Sequence, residues 1–161
     1  MLALNATFDS CAKIAIISQT LTKQKSLEPD ATEHFLQMLR DWAQVLPDEL
    51  RQTIKRGSED GLNRRDREHT IGNIHVACSY YFGVILVTRQ FLVASVSPKL
   101  SERHPSQGNP QVNVPSATAG VSKTAELSRV CVGAAKYLVQ LCHDAGIANL
   151  LLGNMCILQY V

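Results

Sequence analysis

Apolar residues return every three or four positions through most of this chain and nowhere alternate at period two for any length. That periodicity predicts helices and no sheet. The first apolar run extends from about Ala6 to Leu21. Cys11, Ile14, Ala15, Ser18 and Leu21 recur at helical spacing, with Phe8 and Ile17 widening the stripe. Lys23 to Ser26 then form a polar connection. The second run, 30–46, carries the clearest helix signature. Asp30 and Glu33 have the spacing of a capping box, which would satisfy backbone N–H groups at the helix start. Phe35, Leu39, Trp42 and Leu46 follow on one face, widened by Leu36 and Ala43. Pro47 disfavours helical geometry at Leu46 and stops the run. A short helix is expected to restart there, with Asp48 and Glu49 favouring its N-terminal dipole.

From Arg51 to His69 the pattern dissolves into interleaved charges, broken by Gly57 and Gly61. This reads as a solvated linker with compensating charges rather than a phosphate-binding patch. A third helix is predicted over 66–96, starting near Asn63 or Asp66. Ile71, Ile74, Cys78, Tyr81, Ile85, Leu92 and Val96 keep the helical repeat, while Val84, Leu86, Val87 and Phe91 are apolar on other faces. A helix apolar nearly all round belongs in the middle of its domain. Gly83 inside it points to a close neighbouring helix. Pro98 is expected to end it. The stretch 97–123 holds four prolines among Ser, Gly, Asn and Gln, and reads as a flexible loop or disordered insertion. A fourth helix is predicted over 125–145, with Ser122 or Thr124 as cap. Its core face would be Leu127, Val130, Cys131, Ala134, Leu138, Leu141 and Cys142. Gly133, Ala134 and Ala135 would admit a close neighbour, and Gly146 would act as the stop. Ile147 to Val161 is apolar throughout. The fold class is therefore all-α, with four to five helices and one long flexible loop.

Composition narrows the classes. Of 161 residues, 45% are hydrophobic and 19% charged, with a net charge of +2, so a core is available and a wholly disordered chain is excluded. The charge balance and 6% aromatics make no case for nucleic-acid binding. The five cysteines, Cys11, Cys78, Cys131, Cys142 and Cys156, include no Cys-x-x-Cys pair, so buried reduced thiols in a reducing compartment are expected. Met1 to Asn5 lacks the basic start of a secretory signal. Ile74 to Val96 approaches the length of a bilayer span, but Arg89 within it costs about 2.5–3.5 kcal/mol at a membrane centre. A buried helix fits better.

Catalytic patterns find no support in the sequence. Cys142-His143-Asp144 places nucleophile, base and acid side by side, but consecutive helical residues point about 100° apart and do not face one another. Cys142 is expected in the core, with His143 in the last turn, where it favours the helix C-terminal dipole. His34, His69, His75 and His104 lack partners at metal-ligand spacing. Arg89, late in an apolar helix, is expected to find a structural partner among Glu33, Asp41 and Asp144. No phosphate loop or dinucleotide fingerprint occurs. No catalytic, cofactor or metal residue is expected, nor a cofactor or enzyme activity.

Three motifs resemble one known family. Trp42 with Leu46-Pro47 resembles the "Trp, three residues, Leu-Pro" signature of the fungal-specific transcription factor domain, the middle regulatory region of fungal zinc binuclear-cluster factors. In that family a helix rich in His, Tyr and Leu follows and closes on Arg-Pro-Phe-Leu. Its counterpart here is His75, Tyr80, Tyr81, Ile85 and Leu86, then Thr88-Arg89-Gln90-Phe91-Leu92. The family's variable loop and Cys…Ala-Ala helix are matched by 97–123 and Cys131-Val132-Gly133-Ala134-Ala135. Gln90 stands where the family has proline, so the helix is expected to continue without a kink.

The resemblance spans roughly Ala31 to Ala145. It implies a nuclear protein whose helical scaffold regulates transcription through protein partners or self-association. DNA would be reached only indirectly, through a separate six-cysteine zinc cluster that these residues do not form. The family's region is longer, so the chain is expected to be a fragment, with Leu150–Val161 the start of a further helix. The competing expectation is a small helical membrane-associated protein using Ile74–Val96 and Leu150–Val161.

Overall fold

The computed structural model describes residues 2–24, 28–51, 64–103 and 118–150. Among them the structure is all-α, with α1 (Leu2–Lys23), α2 (Pro29–Val45), α3 (Asp48–Arg51), α4 (Arg64–Arg103) and α5 (Thr118–Ile147). The remainders of the expected linker (52–63) and flexible loop (104–117), and the apolar end 151–161, lie outside the described residues.

Helix α4 is the axis of the fold. Its 40 residues make a rod about 60 Å long at 1.5 Å per residue. It buries residues on most of its faces and leaves one, with Arg89 and Val93, toward solvent. Toward α5 it presents Ile74 and Cys78, which pack with Leu141, Ala145 and Leu150. Toward α1, α2 and α5 it presents Val84, Val87 and Phe91, which pack with Ile17, Phe35, Leu36, Leu39, Leu127 and Ala134. Val76 completes a third cluster with Ala6, Trp42, Leu46 and Leu50.

The paired positions give the topology. Arg67 meets Asn149, Tyr81 meets Tyr137 and Ser95 meets Ser128, so α5 runs antiparallel to α4. Ala3 meets Gly72 and Ile14 meets Gly83, so α1 runs parallel to it. Leu39 meets Gly83, and Glu49 meets Asn73, so α2 and α3 descend antiparallel.

Helix α1 is longer than the predicted segment and is turned about its axis. Its buried residues are Ala6, Ser10 and Ile17, whereas Cys11, Ala15 and Ser18 face out and Phe8 is 76% exposed. The cause is the closeness of α1 to α4. A Cβ on Gly72 would lie 2.7 Å from the Cβ of Ala3. A crossing that tight selects Ala3, Ala6 and Ser10 for the contact, and the larger side chains are displaced outward.

Helix ends also differ from expectation. Helix α2 starts at Pro29, with Glu28 as N-cap and no side-chain cap bond, so the Asp30–Glu33 capping box is not formed. Proline at the first position is pre-set for helical φ and lacks an N–H that needs a partner. Asp30 falls inside the first turn, and both acids reach Lys123 of α5, at 2.8 and 3.1 Å. Leu46 is extended, as the following proline requires. Helix α3 restarts behind it, and Arg51 reaches back to donate Nε–H to the Leu46 carbonyl at 2.8 Å and Nη2–H to that of Gln44. Arg51 and Arg64 to His69 are thus helical rather than linker.

Pro98 does not end α4, and α5 begins before Ala125, so 97–103 and 118–123 are helix rather than loop, and Ser122 and Thr124 are not caps. Both are extensions of helices already anchored by packing, where added residues gain hydrogen bonds without a new nucleation cost, although Pro98 itself, lacking an N–H, adds none. Helix α4 also passes through Gln90 without a break. Asn149, not Gly146, closes α5. It adopts φ 52°, donates to the Gly146 carbonyl at 3.0 Å, and the Leu150 N–H reaches Ala145 at 2.9 Å. This is a Schellman closure, including its apolar contact between Leu150 and Ala145.

Candidate functional site

Because no catalytic or metal residues were predicted, the candidate sites are the motif positions, the cysteines and the outer faces. The motif residues are mostly structural. Trp42 and Leu46 are buried together beside Leu50 and Val76. Phe91 lies in the main core, and Cys131 and Ala134 are buried on α5. Gly133 turns outward with nothing within 4 Å of a Cβ, whereas Ala134 is buried in the main core and Ala135 is half-buried. Gly83 does meet neighbours: a Cβ there would sit 3.2 Å from both δ-carbons of Leu39 and 3.8 Å from Ile14.

Arg89 is exposed, and among the described residues no ion pair holds it. Its three candidate partners are engaged elsewhere. Glu33 binds Lys123, Asp41 accepts from Gln37 at 2.7 Å, and Asp144 accepts from Gln140 at 2.8 Å. The helix turns Arg89 to water, where hydration replaces the expected partner.

Cys142 diverges from the adjacent His143 and Asp144 around α5. Cys142 points into the α4–α5 interface, while His143 is largely exposed with Nδ1 3.6 Å from Asp144. The four described cysteines are free thiols. Cys78 and Cys142 pack in the same apolar cluster between the two helices, and burial raises the Cys78 thiol above its ordinary range, reinforced by the neighbouring Cys142. Tyr81 is raised in the same sense by burial, beside Tyr137 at 4.4 Å and Tyr80 at 5.1 Å between ring centroids. Among the described residues no group of three or more His, Cys, Asp or Glu is placed to hold a metal ion.

The outer faces of α1 and α2 contrast. Helix α2 shows solvent Glu33, His34, Gln37, Arg40, Asp41 and Gln44. Helix α1 instead shows Leu4 (73% exposed), Phe8 (76%), Cys11, Ala15 and Ile16. Leu4, Phe8, Cys11 and Ala15 stand at i, i+4, i+7 and i+11, a second apolar stripe opposite the one that meets α4. Apolar spacing alone joins the two stripes into one. At 100° per residue, the two stripes of residues 2–23 are centred about 140° apart, which separates them. The Cys78–Cys142 pairing was also missed. Each cysteine sits on a predicted core face, but their meeting depends on the alignment of two helices joined by a long connection.

No protein-family model, curated protein or solved structure matches the chain. One helical stretch among the described residues, Arg65–Ser97, is long and apolar enough to cross a membrane by length and composition. In the fold α1, α2, α3 and α5 all pack against it.

Proposed function

We propose that this chain is a helical interaction module of transcription regulation that works by protein–protein contact in the nucleus, carrying no DNA-binding element among its described residues. The observation that carries the contact role is the double-sided α1. An edge helix with one apolar stripe on the core and another in water keeps a surface that a protein partner, or a second copy, would dry. The transcriptional part rests on the motif order from Trp42 to Ala135. It is supported by the burial of Trp42, Leu46, Phe91, Cys131 and Ala134 at core positions, as a shared scaffold would require.

The test tethers the chain to an unrelated DNA-binding domain upstream of a reporter. A change in transcription that is lost in Phe8→Glu, with helix content preserved, is the expected result. A reporter indifferent to the wild-type chain would refute the transcriptional role. The second reading, membrane association, is favoured by the apolar length of Arg65–Ser97 alone. Recovery of the native chain only in carbonate-resistant membranes would establish it in place of the first.

A further inference from the structure

We propose that Cys78 and Cys142 are an oxidation-responsive pair that closes to a disulfide, clasping α4 to α5. The two residues share the apolar cluster between α4 and α5, in the antiparallel register set by Tyr81 on Tyr137 and Arg67 on Asn149. Both are held in one apolar cluster with Ile74, Leu141, Ala145 and Leu150. A disulfide needs Cα atoms about 4.4–6.8 Å apart. Facing sides of helices packed at about 8–10 Å between axes supply that separation. The remaining described cysteines are placed differently: Cys11 is exposed on α1, and Cys131 is buried further along α5.

The two sulfurs have unequal roles. Cys142 is half-buried and is the one a small oxidant reaches; Cys78 is buried. With a peroxide as oxidant, the Cys142 sulfur takes up one oxygen to give a sulfenic acid, releasing water (or an alcohol, from an organic peroxide). The Cys78 sulfur then attacks the Cys142 sulfur, the S–OH bond breaks, and the departing hydroxide leaves as water with the Cys78 proton. Two thiols and one peroxide thus give one disulfide; sulfur is oxidised and the peroxide oxygen reduced. Burial that keeps Cys78 protonated makes the second step slow, so the clasp responds to sustained rather than brief oxidation.

The test oxidises the folded full chain with hydrogen peroxide, alkylates it in denaturant and maps it without reduction. Trypsin with Asp-N protease isolates Cys78 in the peptide 68–89 and Cys142 in 137–143, separate from Cys156. The expected product joins these two peptides. It should disappear in Cys142→Ser and in Cys78→Ser, and reduction by dithiothreitol should reverse it. The clasped protein should unfold at a urea midpoint about 1–2 M higher, since the bridge closes a long loop. Alkylation of both peptides with no link, over-oxidation of Cys142 alone, or links running instead to Cys11, Cys131 or Cys156 would each overturn the proposal.

Discussion

The same Gly→Ala change at three helical positions should give three different results, because only the surroundings differ. In each case the helix itself gains about 0.8–1.0 kcal/mol from replacing glycine. At Gly133 the new methyl meets nothing within 4 Å, so the whole gain is retained. That is about 2–4 °C in Tm for a chain of this size. At Gly83 the methyl sits 3.2 Å from both δ-carbons of Leu39. These are the far end of a flexible side chain, but Leu39 is 1% exposed in the main core, so its freedom to move is small. Gain and cost should cancel to within about 0.5 kcal/mol. At Gly72 the methyl would be 2.7 Å from Ala3 Cβ, which is fixed to the α1 backbone. Overpacking of about 1–3 kcal/mol then exceeds the helical gain, for a net loss of up to about 2 kcal/mol. Ala3→Gly in the same chain should recover part of it. Urea unfolding followed by circular dichroism ranks the variants Gly133→Ala above Gly83→Ala above Gly72→Ala. If Gly72→Ala proved as stabilising as Gly133→Ala, the close α1–α4 crossing would be wrong.

Alkaline pH should destabilise the fold in a defined window. Cys78 ionises near 9 when unfolded and higher when folded, so its contribution is full below about pH 9 and is lost as pH rises toward the folded value. Tyr81 adds a second loss above about 10 for the same reason. The urea midpoint should fall from pH 9 upward, less steeply in Cys78→Ala; a rising midpoint would contradict the burial assigned to both groups. At the end of α5, Asn149→Gly should be neutral to slightly stabilising and Asn149→Val destabilising by roughly 1–2 kcal/mol, because φ 52° is open to glycine and strained for a β-branched residue. Equal stability of the two variants would remove the Schellman closure. Trp42 Nε1 is buried with no hydrogen-bond partner among the described residues. Trp42→Phe should therefore cost much less than the roughly 3–5 kcal/mol of Trp42→Ala, measured by denaturant titration. Equal losses would show that the indole N–H is satisfied.

Periodicity was enough to place α2, α4 and α5 and to put α4 at the centre, since Ile74, Cys78, Val84, Val87 and Phe91 point apolar groups in several directions at once, while α3 followed from Pro47, Asp48 and Glu49. It failed where small residues decide a contact. Hydropathy ranks Phe8 and Ile16 above Ala6 and Ser10, yet a crossing as close as Ala3 on Gly72 has room only for the latter. It also failed at ends set by backbone rather than side chain, as at Pro29, or by a residue tolerant of left-handed φ, as at Asn149. Arg89 was misjudged because its apolar neighbours in sequence lie on other faces. The thiol pair and the second stripe on α1 depend on which helix faces which, and that alignment has no local signal.

The central position of α4 also sets a timetable for synthesis. Ile17, Phe35 and Leu39 have their main partners at Val84, Val87 and Phe91, which leave the ribosome several dozen residues later. At about 5–20 residues per second the first helices wait on the order of several seconds with their intended contact absent. Helix α1 waits with apolar groups on both sides. For that interval it is the part of the nascent chain most open to capture by a chaperone or by a neighbouring chain. The residues that shorten this exposure are those by which α4 first grips α1, beginning at Gly72 and Ala3.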